Sequence, residues 1–189
     1  VYYFNLQKHY KILKERNTLL KKMVKNGSLL EDTLDVWDKQ LCAYGTKLAE
    51  ERKSFIEDLN LKAEKIHGDI SANKESLKIE YKESVDYSNF YEKMVKNRDK
   101  DIFYGNTCVG IHKDDMVFYI NGNNARDYAS QGQQRTICLS LKMAEVELIN
   151  EKTGAYPVLL LDDVLSELDK NRQDYILKSI NNIQTIITC

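Results

Sequence analysis

The sequence SQGQQR at residues 130–135 opens a predicted helix, and VLLLDD at residues 158–163 is predicted to be a buried strand that ends in two carboxylates. The stretch SELD at residues 166–169 follows at once. Backbone N–H groups at a helix start can hold phosphate oxygens, and acids at a strand tip can hold Mg²⁺ and orient a water. Together these segments predict one half of a nucleotide-hydrolysing site. The motif GxxxxGK[ST], which would supply the other half, does not occur in the chain.

The hexapeptide at 130–135 also allows a simpler interpretation. Ser130 and Gln133 match the S-x-x-Q pattern of a capping box, so a well-capped helix without a ligand remains an alternative. Gly132 favours a ligand, because a glycine in the first turn costs roughly 1 kcal/mol relative to alanine and is easier to explain where a ligand approaches the backbone. Gln134 and Arg135 add donors beside the positive end of the helix dipole.

The acids at the end of the predicted strand admit two interpretations as well. Any buried strand entering a turn could end in this way. However, two adjacent carboxylates repel each other and lose hydration on burial unless a cation or hydrogen-bond donors compensate. We therefore expect Asp162 to lie in or near the ligand shell of Mg²⁺, and Asp163 to polarise the attacking water as general base or positioning group.

Periodic segments predict an α/β protein with a mainly helical N-terminal half and a strand–helix–strand unit at the C-terminus, for which parallel pairing is favoured. Helices are predicted at 2–25, 31–71 (as one or two helices), 86–101, 131–150 and near 170–180. Strands are predicted at 77–81, 116–120, 158–161 and 183–188, with a turn at 121–124.

Composition excludes several classes of protein. The 189 residues carry a net charge of −1, so bulk charge does not indicate a nucleic-acid binder. The four cysteines lie far apart without a CxxC pair, which argues against a zinc site and favours a reducing cytoplasm. We expect no signal peptide and no membrane span. Because the chain begins at Val1 rather than Met and stops on a strand-like segment, we expect it to be a piece of a longer protein.

The first predicted helix is strongly basic and has Glu15 as its one acid. One interpretation is a solvated helix face, and the other is a surface that contacts the phosphate backbone of DNA. The candidate DNA-binding residues are Lys11, Lys14, Lys21 and Lys22.

Three stretches together resemble the RecF family, which are bacterial DNA replication and repair proteins of the ABC-type ATPase class related to the heads of structural maintenance of chromosomes proteins. SQGQQRT at 130–136 resembles the signature motif, and LLLDDVLSELD at 159–169 resembles the Walker B strand followed by the D-loop. GIHKDD at 110–115, which alone could be a charged turn, is similar to a family segment in which proline commonly stands at the position of Ile111. Residues 3–17 are similar to the segment that opens the helical lobe of the family.

This resemblance implies a two-lobed organisation and an ATP site shared by two subunits. Residues 1–152 would form a helical lobe with the signature motif, and 153–189 would form part of the ATPase core, with the Walker A segment preceding Val1. ATP with Mg²⁺ would be sandwiched between two protomers of an ATP-dependent homodimer. The implied nucleotide contacts are Ser130, Gly132, Gln133, Gln134, Ser166 and Asp169, beside Asp162 for the metal and Asp163 for catalysis.

The resemblance also implies partners. ATP would close the dimer on DNA and hydrolysis would open it; the family is associated with gapped DNA or single-strand–duplex junctions, and with RecR in loading RecA. A different class of function stays open: a helical protein-interaction module without nucleotide chemistry, in which the acids and the SQGQQ turn are structural.

Overall fold

The computed structural model describes residues 1–26, 31–162 and 168–188. Most of these residues are helical. The helices are α1 (Tyr2–Asn26), α2 (Glu31–Ile70), α3 (Phe90–Lys96), α4 (Arg98–Tyr104), α5 (Ala125–Tyr128), α6 (Gln131–Thr153) and α7 (Lys170–Ser179), with a 3₁₀ turn at Tyr87–Asn89. The strands are β1 (Leu77–Lys82), β2 (Asp115–Ile120), β3 (Asn123–Asn124), β4 (Leu159–Asp162) and β5 (Thr185–Thr188). The predicted α/β class with a helical N-terminal half is confirmed.

Two predicted helices differ in detail. The segment 31–71 forms the single 40-residue helix α2. The segment predicted as one helix at 86–101 is broken into the 3₁₀ turn, α3 and α4. The break between α3 and α4 lies at Asn97, whose φ of −94° and ψ of 0° leave the helical region. The pattern of apolar residues does not reveal such a break.

The described chain divides into two compact units. The first combines Val1–Ser54 with Tyr81–Asp115, and the second combines Phe55–Glu80 with Met116–Cys189. This division follows contacts rather than chain order, whereas the boundary expected between residues 152 and 153 follows the family resemblance. That lobe boundary stays a prediction.

In the first unit, α1 has a buried face and a solvated face. The buried face carries Ile12, Leu20 and Met23. It also carries Arg16, whose side chain is completely buried and is paired with two carboxylates from other helices. A buried cation is tolerated only when it is paired and hydrogen-bonded. The sequence in this unit therefore specifies a polar cluster inside an apolar core.

In the second unit, β4 and β5 pair in parallel, as predicted, in a register that runs from Leu159 opposite Thr185 to Asp162 opposite Thr188. The prediction that β4 is a buried strand is only half right. Leu159 and Leu161 are buried, but Leu160 between them is 69% exposed. Successive side chains of a strand point to opposite faces, and in the described chain only one face of this two-stranded sheet is covered.

A tight hairpin joins β2 to β3 and leads towards α6. Asn121 and Gly122 adopt φ values of 50° and 80°, and Ile120 then pairs with Asn123. Positive φ at both central residues is what a two-residue hairpin with an Asn-Gly turn requires. The predicted turn at 121–124 is therefore confined to its first two residues.

Candidate functional site

The first turn of α6 contains a complete capping box. The Ser130 hydroxyl accepts a hydrogen bond from the backbone N–H of Gln133 at 3.3 Å, and the Gln133 side-chain oxygen accepts one from the backbone N–H of Ser130 at 2.9 Å. The backbone N–H of Gln134 donates to the Ser130 carbonyl at 2.9 Å. The predicted capping interaction is thus present. It fixes the backbone of the turn while leaving the first N–H groups of the helix without intrahelical acceptors.

Gly132 is not required by packing among the described residues. A Cβ atom added there would lie 3.7 Å from Nη1 of Arg172, which is an ordinary contact distance. An alanine would therefore fit and would favour the helix by roughly 1 kcal/mol. The glycine has no structural reason within the described part of the chain, and this favours a close approach from outside.

Glu75 holds the side chain of Gln133 in place through a hydrogen bond. Its amide nitrogen donates to Glu75 Oε1 at 3.2 Å, and Glu75 Oε2 lies 3.1 Å from Nε2 of the buried His67. On the other side of that ring, Nδ1 lies 3.1 Å from the hydroxyl of Ser140. Burial lowers the pKa of His67, and this effect outweighs the opposing charge of Glu75. The hydroxyl of Ser140 in turn donates to the carbonyl of Thr136 at 2.7 Å, so this chain of contacts continues within α6.

The Ser140–His67–Glu75 arrangement has the connectivity of a hydrolase triad but not its accessibility. The side chains of Ser140 and His67 are both fully buried, so no substrate can reach the hydroxyl. Its role is to hold Glu75 in place below the first turn of α6.

A second anchor for the same turn comes from α7. Nη1 of Arg172 donates to the carbonyl of Gly132 at 3.2 Å and to the hydroxyl of Thr136 at 2.7 Å. Nε of Arg172 lies 3.2 Å from Oδ2 of Asp169, and Oδ1 of Asp169 accepts the backbone N–H of Arg172 at 3.1 Å. Asp169 therefore caps α7 and is connected through Arg172 to the SQGQQ turn.

The predicted metal ligand Asp162 is the last residue of β4. Its carboxylate is exposed and accepts a hydrogen bond from the hydroxyl of Thr188, its partner in the register of β5. Because Asp162 is exposed, the argument that burial of this carboxylate demands a cation does not hold for it. The other acid of the pair, Asp163, and the predicted nucleotide contact Ser166 lie outside the described residues.

A cleft of about 590 Å³ brings the start of α6 and the end of β4 together. Asp162 and Gln134 both line it, and Cys138 and Lys142 continue the α6 wall by one turn each. Its floor is apolar and includes Leu161. Ser130, Gly132 and Gln133 do not line the cleft, so the structure brings one predicted signature residue and the predicted metal ligand onto the same cavity and leaves the others beside it.

The candidate DNA-binding residues form a stripe on α1. Lys11, Lys14, Lys21 and Lys22 are all exposed. Spacings of three, seven and eleven residues place them on one helix face, opposite the face buried in the first unit. The exposed aromatic side chains of Phe103 and Tyr104 follow in α4, which packs against α1. We call these four lysines, which lie on the exposed face of α1, the basic stripe.

The third stretch of the family resemblance, GIHKDD, serves the structure of the first unit. Asp114 accepts hydrogen bonds from the hydroxyls of Tyr81 and Tyr87 and, at 2.7 Å, from the backbone N–H of Ser84. His112 has its Nε2 at 3.0 Å from the carbonyl of Thr107. This supports the charged-turn interpretation of the segment.

Relatives and solved structures match the chain over its whole length. The DNA replication and repair protein RecF of Lachnospira eligens is 48% identical over 190 residues, and that of Lachnoclostridium phytofermentans is 50% identical over 189; each match covers 100% of this chain and 52% of the relative. No protein-family model matches the chain. A solved structure of the recombination mediator protein RecF with ATP superposes with a TM-score of 0.90 at 39% identity, over 100% of this chain and 52% of that one. RecF with an ATP analogue gives 0.87 at 40% identity, over 100% of this chain and 53% of that one.

The fold is therefore that of the corresponding half of the recombination mediator protein RecF. The chain spans about half the length of the curated relatives that it matches. Within that span it belongs to the RecF family, as the three sequence stretches predict.

Proposed function

We propose that this chain supplies the signature motif, the Walker B strand and the D-loop of a RecF-type ATPase that clamps DNA in replication and recombinational repair. The observation that carries the proposal is the first turn of α6, where Ser130 and Gln133 are locked by their capping box and a glycine without a packing reason lies between them. The solved relatives that share this fold are named as RecF with ATP or an ATP analogue.

In this proposal the turn binds phosphate by electrostatics. The N–H groups at the start of α6 point along the helix axis, and the helix dipole adds positive potential there. Ser130 keeps the turn in place through its cap bond to Gln133, which is already formed without a nucleotide. Gln134, at the mouth of the cleft, adds a side-chain amide that can donate to a phosphate oxygen.

Asp162 fits a Mg²⁺ ion that is bound mainly through phosphate. Among residues 1–26, 31–162 and 168–188 no group of three or more acidic, histidine or cysteine side chains forms a metal site. Mg²⁺ in nucleotide sites commonly takes one or two carboxylates, with phosphate oxygens and water filling the remaining positions. Asp162 provides one such carboxylate, exposed at the end of β4. The ion would neutralise phosphate charge there.

The nucleotide would be shared between two protomers. Asp163 would orient the attacking water on one side, and Ser130, Gly132 and Gln133 of the other protomer would contact the phosphates, with Ser166 and Asp169 beside them. The chain itself holds no GxxxxGK[ST] motif. We therefore expect the 189-residue chain alone to show no ATP turnover.

DNA, RecR and RecA are the partners of the proposed clamp, and the DNA would be gapped or would carry a single-strand–duplex junction. The basic stripe of α1 is the proposed DNA contact, and a cytoplasmic location follows from a role on bacterial DNA. No helix in the described ranges is long and apolar enough to cross a membrane. The alternative, a helical interaction module without nucleotide chemistry, is not favoured, because the likeness to RecF extends over the whole chain.

Mixing two inactive variants tests whether the site is shared. In full-length RecF carrying this sequence, Ser130→Ala would damage the signature and Asp163→Asn would damage catalysis. If the site is built from two protomers, a mixed dimer contains one site with both an intact signature and an intact Asp163. We expect mixing to restore turnover, up to a quarter of the wild-type rate for random pairing. Single-site chemistry within one protomer predicts no restoration, and that result would refute the shared site.

A further inference from the structure

One arginine joins three separate segments of the second unit. Nη1 of Arg172 bonds Gly132 and Thr136 of α6, Nε pairs with Asp169 at 3.2 Å, and Nη2 lies 3.8 Å from Oε1 of Glu75. Only 19% of its side chain is exposed. The guanidinium therefore touches the signature-like turn, the residue that ends the SELD stretch, and the carboxylate that anchors Gln133.

Only arginine can make this set of contacts. A guanidinium presents donors in fixed directions within one plane, whereas the ammonium of lysine is a compact point charge on a flexible stem. The acidic side chains around Arg172 also require a positive charge at this position. Glu75 and Asp169 are both carboxylates, and the guanidinium of Arg172 is a cation that lies beside the two of them.

We infer that Arg172 is a positioning residue. It holds the SQGQQ turn and Asp169 in a fixed position relative to each other, so that both contact the nucleotide of a partner protomer at the same time. This inference rests on the proposed function. Arg172 makes no contact with the nucleotide in this scheme. It acts through the carbonyl of Gly132 on one side and the carboxylate of Asp169 on the other. Oε1 of Glu75 accepts a hydrogen bond from the side chain of Gln133 and also lies 3.8 Å from Nη2 of Arg172, so one carboxylate oxygen contacts both side chains.

Two variants separate positioning from general stability. Arg172→Gln removes the charge and the fork of donors. Thr136→Val removes one acceptor of Arg172 with little change in shape, and Thr136 is completely buried, so it cannot touch a nucleotide. Lys178→Gln removes one exposed positive charge from the same helix and is the matched control.

The experiment uses full-length RecF carrying this sequence and three measurements: binding of a fluorescent ATP analogue by the monomer, ATP-dependent dimerisation by sedimentation velocity, and thermal unfolding. We expect Arg172→Gln to weaken ATP-dependent dimerisation about tenfold or more, the effect of losing a charged hydrogen-bond network. Thr136→Val should act in the same direction, and monomer nucleotide binding should stay within about threefold of wild type in every variant.

The outcomes distinguish the inference from the function. If the wild-type protein does not dimerise with ATP, the proposed function fails. If wild type dimerises and Arg172→Gln and Thr136→Val dimerise equally well, the coupling role is wrong and the function stands. A parallel loss of nucleotide binding, dimerisation and thermal stability would also overturn the role, because that is general unfolding. If Arg172→Gln does not fold, Thr136→Val decides by the same criteria.

Discussion

Arg16 and Asp38 form a salt bridge of 2.6 Å between Nε and Oδ1, and neither side chain has any exposed surface. Nη1 of Arg16 reaches a second carboxylate, Asp101, at 2.8 Å and the hydroxyl of Thr107 at 2.8 Å. The cluster joins residues that are far apart in the chain. Its stability depends on every member, because a buried charge without its partner is strongly unfavourable.

Replacing Arg16 with methionine should therefore destabilise the chain by about 3 to 5 kcal/mol, since the buried carboxylate of Asp101 loses the cation of Arg16, while Asp38 keeps Arg98 as a partner. Urea unfolding of the 189-residue chain measures this. Lys14→Met changes an exposed residue of the same helix and should stay within about 0.5 kcal/mol of wild type. If the two variants were equally stable, the cluster would have no role in holding the first unit together.

Acid should destabilise the chain through His9. His9 is fully buried, and neither of its ring nitrogens has a partner among the described residues. Burial, with smaller contributions from the charges of His112 and Arg52, lowers its pKa to about 4, and the charge of Asp114 opposes them. The unfolded histidine titrates near 6.5, so the native state binds fewer protons than the unfolded state between these values. Stability should be complete above pH 6.5 and fall on the order of 3 kcal/mol towards pH 4.

Urea unfolding at pH 7.5, 6 and 5 tests this for wild type and His9→Leu. The variant should show a shallower fall of stability with decreasing pH, because it has no proton to take up at position 9. An identical pH dependence in both proteins would assign the acid sensitivity to other groups.

Two substitutions of Ser130 distinguish its role as a helix cap from a role as a nucleotide contact. Ser130→Ala should cost about 0.5 to 2 kcal/mol of stability with or without nucleotide, because it removes the cap to Gln133. In the full-length protein, Ser130→Arg should in addition block the proposed ATP-dependent dimerisation, while the monomer still binds nucleotide. Sedimentation with and without ATP is the measurement. A folded Ser130→Arg protein that dimerises normally would leave Ser130 as a cap only.

The two acids should have separable effects in the same full-length protein. Asp163→Asn should retain ATP binding and lose about 10² to 10⁴ in turnover, the usual contribution of a positioned base. Asp162→Asn should weaken Mg²⁺-dependent nucleotide binding as well. Equilibrium binding and steady-state turnover, each across a Mg²⁺ titration, distinguish them. Wild-type turnover in Asp163→Asn would show that another group activates the water.

The basic stripe of α1 should contribute a salt-dependent part of DNA binding. Changing its four lysines to glutamine should weaken binding to a single-strand–duplex junction and lower the slope of log K against log salt by up to about 3.6, because each lost phosphate contact removes about 0.7 to 0.9. The matched control changes four exposed lysines of the same unit that lie outside α1, which are Lys47, Lys53, Lys93 and Lys96. Equal losses in both proteins would indicate a general charge effect and no specific surface.

Local patterns in the sequence predicted α6, its capping box and the parallel strand–helix–strand unit correctly. These features depend on residues close together in the chain. The anchors of the first turn of α6 were missed, because Gln133 and Glu75 are 58 residues apart and His67 and Ser140 are 73 apart. A polar His67 on the apolar face of α2 was the one signal available. In the same way, the apolar run in β4 could not show that one of its faces lies open.

Cys138 lies exposed on the wall of the cleft that also contains Gln134 and Asp162. In contrast, Cys42 is half-buried, and burial raises the pKa of its thiol to about 12, so it reacts slowly with thiol reagents at neutral pH. A maleimide fluorophore would therefore attach at Cys138 in preference to Cys42, and Cys108→Ser and Cys189→Ser would remove the two other thiols. The dye would then report, as a change in emission, whatever fills or closes the space between α6 and β4.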